Sequence, residues 1–458
     1  MSNFARIAIL IGISLSGTAV QANPQAAAID AYIQPYVRSE NFSGSVLVAK
    51  NGKVVFEKAY WFADRERRIP NTAATRFHIA SVSMQFTAAA VLKLVDTGSI
   101  TLDEHVGDFA PGIEGADKIT IRELLAERSG LPDINALPGY DDILQRHQTP
   151  ASLIARIEGQ PLLFEPGSKF LHEEHSAYNL LALIVEKKTG LPFAAAVERL
   201  VFRPIGLARS GVDDDSRIES VPMAKGYEPE GTYAVKPATG IHWSAKTGNA
   251  SVYTTAGDEA RWVEALFHGH SMSLSSRETV LDATQNVGYG WFKGENKRFG
   301  KTAYYMNGRA PGFASFVIHL PDSRTTVVVL SNIYSSATTT IGYDIAAIAL
   351  GRTYEPFHLR SPAPDSVELS RCTGTFRFGS DFYQPKAVVA LTSNGRELFM
   401  RWPSGDVSAL IPIGPDHFVD RSYWVDVDIH RDSSGQLDGL LYDHFQGKVE
   451  SAAQPAVL

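Results

Sequence analysis

Two β-hairpin patterns stand far apart in this chain, and together they constrain its fold more than any other feature. The first runs from Gly44 to Phe56, with apolar and β-branched residues on either side of Asn51-Gly52. That dipeptide tolerates the positive φ angles of a tight hairpin turn. The second comprises Ala314–Pro321 and Thr325–Asn332, two β-branched runs separated by Pro321-Asp322-Ser323. An isolated hairpin is marginal in water, so the second is expected to complete one antiparallel sheet with the first. Much of the intervening chain reads as helix. After Met84, Phe86, Ala89, Ala90, Leu92, Leu94 and Val95 recur at helical spacing. Tyr178–Glu186 begins another buried helix, closed by Gly190 and Pro192, and Val252–Trp262 is a turn leading into a third. Before the first hairpin, Ile29, Ile33 and Val37 mark one face of a further helix. The predicted fold class is therefore α/β (α+β): an antiparallel sheet flanked by helices, with a helical insert.

Past Ser361-Pro362-Ala363-Pro364 the chain changes character. Short alternating segments such as Thr375–Phe378 and Glu397–Trp402 recur between Gly, Asn and Asp turns, the pattern of a small all-β barrel or sandwich. A length of 458 residues already argues for more than one core. The expected division is 1–22, a signal peptide; 23–355, the sheet-and-helix domain; 356–364, a linker; and 365–458, the β-domain. The signal reading rests on Arg6, the apolar run Ile7–Ile13 and small residues at Val20-Gln21-Ala22. That run is too short, and too diluted by Gly and Ser, to span a bilayer. With the signal removed, no membrane span is expected, and the location is periplasmic or secreted. The single Cys372 cannot form an intramolecular disulfide. A formal net charge of −7 gives no general attraction to nucleic acid or anionic lipid. The expected partner is a small-molecule or peptide substrate, and no cofactor is implied.

Two stretches are candidates for chemistry. Ser81 lies at the start of the apolar helix pattern, where a serine is either a cap or a nucleophile whose developing charge meets the helix N-terminus. His172-Glu173-Glu174-His175 is a polar cluster directly before Tyr178, where packing alone demands none.

Around Ser81 the chain resembles the serine β-lactamase and D,D-peptidase superfamily, especially the class C-like periplasmic serine hydrolases and esterases. The resemblance covers roughly residues 28 to 350. It rests on Ile79–Ala88, Ser129-Gly130-Leu131-Pro132, Pro166-Gly167 with Phe170, Tyr178–Leu181, Tyr289-Gly290-Trp291 and Pro311-Gly312-Phe313, in that order. It implies a β-lactamase-like sandwich, and for the tail from about Asp365 a lipocalin-like β-domain. Such hydrolases use a Ser-x-x-Lys pair, a Tyr-x-Asn element and a Lys/His-x-Gly strand motif. Ser81 matches the nucleophile, but Met84 stands where the lysine is expected. Glu173 and His175 occupy the Tyr-x-Asn positions, and Met306-Asn307-Gly308 occupies the strand motif, of which only Gly308 remains.

The resemblance leaves three readings open. In the first, the site is rewired: Ser81 stays the nucleophile, His175 or Glu173 becomes the base, and Met84, Met306, Asn307 and Gly308 line the substrate site. In the second, the protein is a pseudoenzyme that binds a peptide or cell-wall fragment. In the third, His172–His175 holds a metal. The spacing of its histidines argues against this third reading, because they stand three apart and the i, i+4 pattern is absent.

Overall fold

The computed structural model describes residues 24–171, 175–215, 223–282 and 286–451. The proposed signal segment, and with it Arg6 and Ile7–Ile13, lies outside them. The two hairpins do meet. A seven-stranded antiparallel sheet runs in the order Val287–Gly288, Trp291–Asn296, Lys301–Ala310, Phe313–Leu320, Thr325–Ser331, Gly44–Lys50, Lys53–Tyr60. The N-terminal hairpin turns at Asn51 and Gly52, whose φ angles of 50° and 71° are both left-handed. Its strand Gly44–Lys50 pairs along its whole length with Thr325–Ser331, from Gly44 opposite Ser331 to Lys50 opposite Thr325. Chain segments remote in sequence thus form adjacent central strands. Phe313–Leu320 and Thr325–Ser331 are buried on both faces, which explains their unbroken apolar runs.

Each sheet face carries its own core. On one side, helices Met84–Asp96 and His175–Thr189 pack with Leu47, Met306, Val317 and Val328. On the other, helices Pro24–Arg38 and Ala337–Ala349 pack with Val46, Phe316, Ile318 and Val329. This alternation is the two-residue period of a strand presented to two helical layers.

Residues 374–451 form a closed barrel of eight antiparallel strands, Gly374–Arg377 through Phe445–Ser451, so no sheet edge is left open. The barrel is seated on the second core. Its Ile411 and Val419 belong to the same apolar cluster as Ile33 and Ile345, and Phe357 is packed between Tyr36 (4.7 Å) and Trp424 (5.2 Å). Arg421 bolts the seat. Its guanidinium, fully buried, donates to Asn41 Oδ1 (2.8 Å) and to the carbonyls of Glu40 (3.0 Å), Gly231 (2.6 Å) and Ala234 (2.5 Å). Among the described residues, no helix is long and apolar enough to cross a membrane.

Candidate active site

Ser81 sits on a 3-10 turn, Ala80–Ser83, that runs directly into the helix Met84–Asp96. The turn is clamped on both sides. The Ile79 N–H donates to Val252 O (3.0 Å) and the Val252 N–H to Ser83 Oγ (3.0 Å). From the opposite direction, Ser315 Oγ donates to Ile79 O (2.6 Å). Ala80 is held at φ 49°, in the left-handed region a non-glycine residue avoids, at a typical cost of about 1–3 kcal/mol. Ala80, Val82 and Ser83 are buried while Ser81 alone is half-exposed, so the turn presents one hydroxyl to solvent. Among the described residues, none makes a hydrogen bond with that hydroxyl.

The strand Lys301–Ala310 runs against this turn. A Cβ at Gly308 would lie 2.5 Å from Ile79 O and 2.8 Å from Ser81 N, so only glycine permits the approach. The two-residue period puts Met306 on that same face, fully buried in one core with Met84. Met84 and Met306 therefore present thioethers to apolar neighbours, with no proton chemistry available at either position. Asn307 falls on the other face and is half-buried.

His175 is the first residue of the helix His175–Thr189. The helix start is tied to the loop after Ser129-Gly130-Leu131: Ser176 Oγ donates to Pro132 O (2.6 Å) and accepts from Ile134 N (2.9 Å). This brings Asp133 to His175, with Asp133 Oδ1 at 3.1 Å from Nδ1 and Asn135 Nδ2 at 2.9 Å from it. An ionised carboxylate only accepts, so it favours the tautomer with the proton on Nδ1 and leaves Nε2 as a free acceptor. Asn135 Oδ1 is buried without a partner, and turning that amide over would direct its oxygen to the Nδ1 proton. Lys246 lies at the same cluster. Its ammonium is 4.9 Å from the Tyr140 ring centre, and burial pulls it down to about 8 against the attraction of Asp133.

His78, three residues before Ser81, is occupied structurally. It stacks on Trp243 at 3.6 Å, and its Nε2 lies 2.8 Å from Asp213 Oδ2. Burial lowers its pKa, outweighing Asp213. Glu173, together with His172 and Glu174, lies outside the described residues. Among the described residues, no group of three or more His, Cys, Asp or Glu is arranged to hold a metal. Sequence reading missed Asp133, Asn135 and Lys246. Asp133 directly follows the quoted Ser129–Pro132 stretch and was within reach, whereas nothing local distinguishes Lys246.

The model of the family described as Beta-lactamase matches residues 29–350. This chain belongs to that family. It is 28% identical over 307 residues to a putative penicillin-binding protein, PbpX, of Bacillus subtilis, covering 67% of this chain and 74% of that protein. It is 24% identical over 439 residues to penicillin-binding protein 4* of the same organism, covering 90% of this chain and 95% of the relative, so that likeness extends into the barrel. The octameric penicillin-binding protein homologue of Pyrococcus abyssi shares the fold, with a TM-score of 0.65, 20% identity, and 92% of this chain and 99% of that one covered. The chain is thus a serine-hydrolase-like protein of the penicillin-binding-protein type.

Proposed function

We propose that this protein hydrolyses an amide or ester bond of a peptide or small molecule through an acyl-enzyme on Ser81, outside the cytoplasm. The observation that carries the reading is the Ser81 turn: one half-exposed hydroxyl on a strained, doubly clamped backbone, with Gly308 kept free of a side chain beside its amide. A fold has no structural need to hold Ala80 at positive φ, whereas presenting a nucleophile does give such a need.

In the proposed reaction Ser81 Oγ adds to the substrate carbonyl carbon while its proton passes to His175 Nε2. The Ser81 N–H stabilises the oxyanion. Collapse of the tetrahedral adduct breaks the bond to the leaving group, which takes the proton from His175. Water then repeats both steps, releasing the acid and restoring Ser81. Asp133 acts as a positioning residue that fixes the tautomer and stabilises the imidazolium, and Glu173 is the alternative base. Met306 replaces the strand cation expected to meet a substrate carboxylate, so ordinary β-lactam or D,D-carboxypeptidase substrates fit less well than neutral amides and esters.

The second reading, a binding protein without turnover, is favoured by one observation: no described base bonds Ser81 Oγ. A fluorophosphonate probe followed by mass analysis of the Ser81 peptide decides between them. An adduct on Ser81 supports the hydrolase, and its absence in folded protein leaves the pseudoenzyme. Metal analysis of protein purified without chelator tests the third reading, since a site at His172–His175 requires stoichiometric zinc or copper.

A further inference from the structure

The barrel and the sheet domain meet at a cleft that the Ser81 chemistry does not use. One lobe, of about 470 Å³, is lined by Glu228 and Lys236, by Arg309 and Tyr334, and by Trp402 and Tyr423 of the barrel. A second lobe, of about 520 Å³, shares Trp402, Asp406 and Tyr423 with the first and continues to Tyr383 and Tyr442. Strand alternation puts the Arg309 side chain on the face opposite Gly308, and therefore away from Ser81.

Two residues that line this cleft each carry a buried donor without a partner among the described residues. Arg309 is sandwiched between the rings of Tyr334 (4.2 Å) and Tyr423 (4.8 Å), and its Nε is buried without a partner. Trp402 is 8% exposed, and its Nε1 is likewise buried and unpartnered. The walls add apolar faces. Tyr383 and Tyr423 are 59% and 43% exposed, and Trp402 stands nearly perpendicular to Tyr423 (67°, 5.7 Å) and Tyr442 (89°, 5.4 Å). Charge decides the ligand class. Glu228, Glu230 and Asp406 oppose an anion, while Arg309 and Lys236 oppose a cation. Hydroxyl groups both donate and accept, and so satisfy either sign.

We propose that this interdomain cleft binds a neutral oligosaccharide, its ring faces on Tyr423 and Tyr383, its hydroxyls meeting the charged groups of Arg309, Lys236, Asp406 and Glu228. Aromatic walls with a few fixed polar groups at a barrel mouth are a general form of small-ligand site. The proposal does not depend on Ser81.

The test titrates full-length Ser81→Ala protein with cellotetraose, maltotetraose and the β-1,4-linked tetramer of N-acetylglucosamine, followed by calorimetry and tryptophan fluorescence. Saturable binding of at least one is expected, roughly tenfold weaker in Tyr423→Ala and in the exposed Tyr383→Ala. An unchanged thermal midpoint in Tyr383→Ala shows that the loss is local. The proposal is overturned if none of the three sugars binds, if both tyrosine variants bind as tightly as the parent, or if tetra-alanine binds in preference to every sugar.

Discussion

At the residue scale the informative positions are Ser81, Met84, His175 and Gly308. Replacing Ser81 by alanine is expected to abolish the fluorophosphonate adduct. His175→Ala should slow adduct formation by roughly 100-fold or more if the imidazole is the base, and Asp133→Asn should slow it while shifting its pH profile, because the amide no longer favours the Nδ1 proton. A Glu173→Gln protein that labels at the parental rate removes that residue as the base, and unchanged labelling in His175→Ala removes the imidazole. Gly308→Ala places a methyl group 2.8 Å from Ser81 N, and both a loss of labelling and a destabilisation of about 1–3 kcal/mol by denaturant titration are expected. A second residue-scale effect concerns Glu259, whose carboxyl is fully buried with neither oxygen partnered, and which burial pushes up to about 8. The folded state holds a proton there that the unfolded chain releases above about 4.5. Stability should therefore fall as pH rises from about 4.5 to about 8. Glu259→Gln should lose that slope and gain about 3 kcal/mol at pH 7, read from unfolding curves at several pH values.

At the scale of elements, the Asn51-Gly52 hairpin, the Pro321-Asp322-Ser323 hairpin and the helix after Met84 could all be read locally, because turn chemistry and hydrophobic period are properties of short stretches. The alternating tail was legible as a barrel or sandwich; closure into eight paired strands depends on Gly374–Arg377 meeting Phe445–Ser451, which no local pattern reports. The candidate site was legible only in part. Ser81 was singled out by its place at the start of a helix pattern and Gly308 through the resemblance, while Asp133 came to His175 through two hydrogen bonds of Ser176 that link residues over forty positions apart. Lys246 gives an element-scale prediction. Burial brings it down to about 8, so between about 8 and its unfolded value near 10.4 the unfolded chain holds more protons and stability should rise with pH. Lys246→Met should flatten that rise in thermal melts.

At the scale of the molecule, Arg421 holds the barrel to the sheet domain by satisfying five acceptors across the junction, those of Asn41, Glu40, Glu230, Gly231 and Ala234. Arg421→Met leaves those acceptors buried without donors, and a loss of about 3 kcal/mol or more is expected. Limited proteolysis between residues 351 and 373 should accelerate in parallel. Arg421→Lys should not restore the junction, since an ammonium cannot reach acceptors spread over a guanidinium fork. Sequence alone determined the periodicities, the turns and the ordered motifs, and with them the family and both domain types. It also showed that Met84 and Met306 stand where charged groups are expected. Tertiary structure alone decided that both methionines are buried in one core, that Gly308 presses on the Ser81 amide, that Asp133 pairs with His175, and that two domains share an aromatic cleft. The physical reason is that periodicity and turn preference act over a few residues, whereas burial, close approach and charge pairing depend on which distant segments the sheet brings side by side.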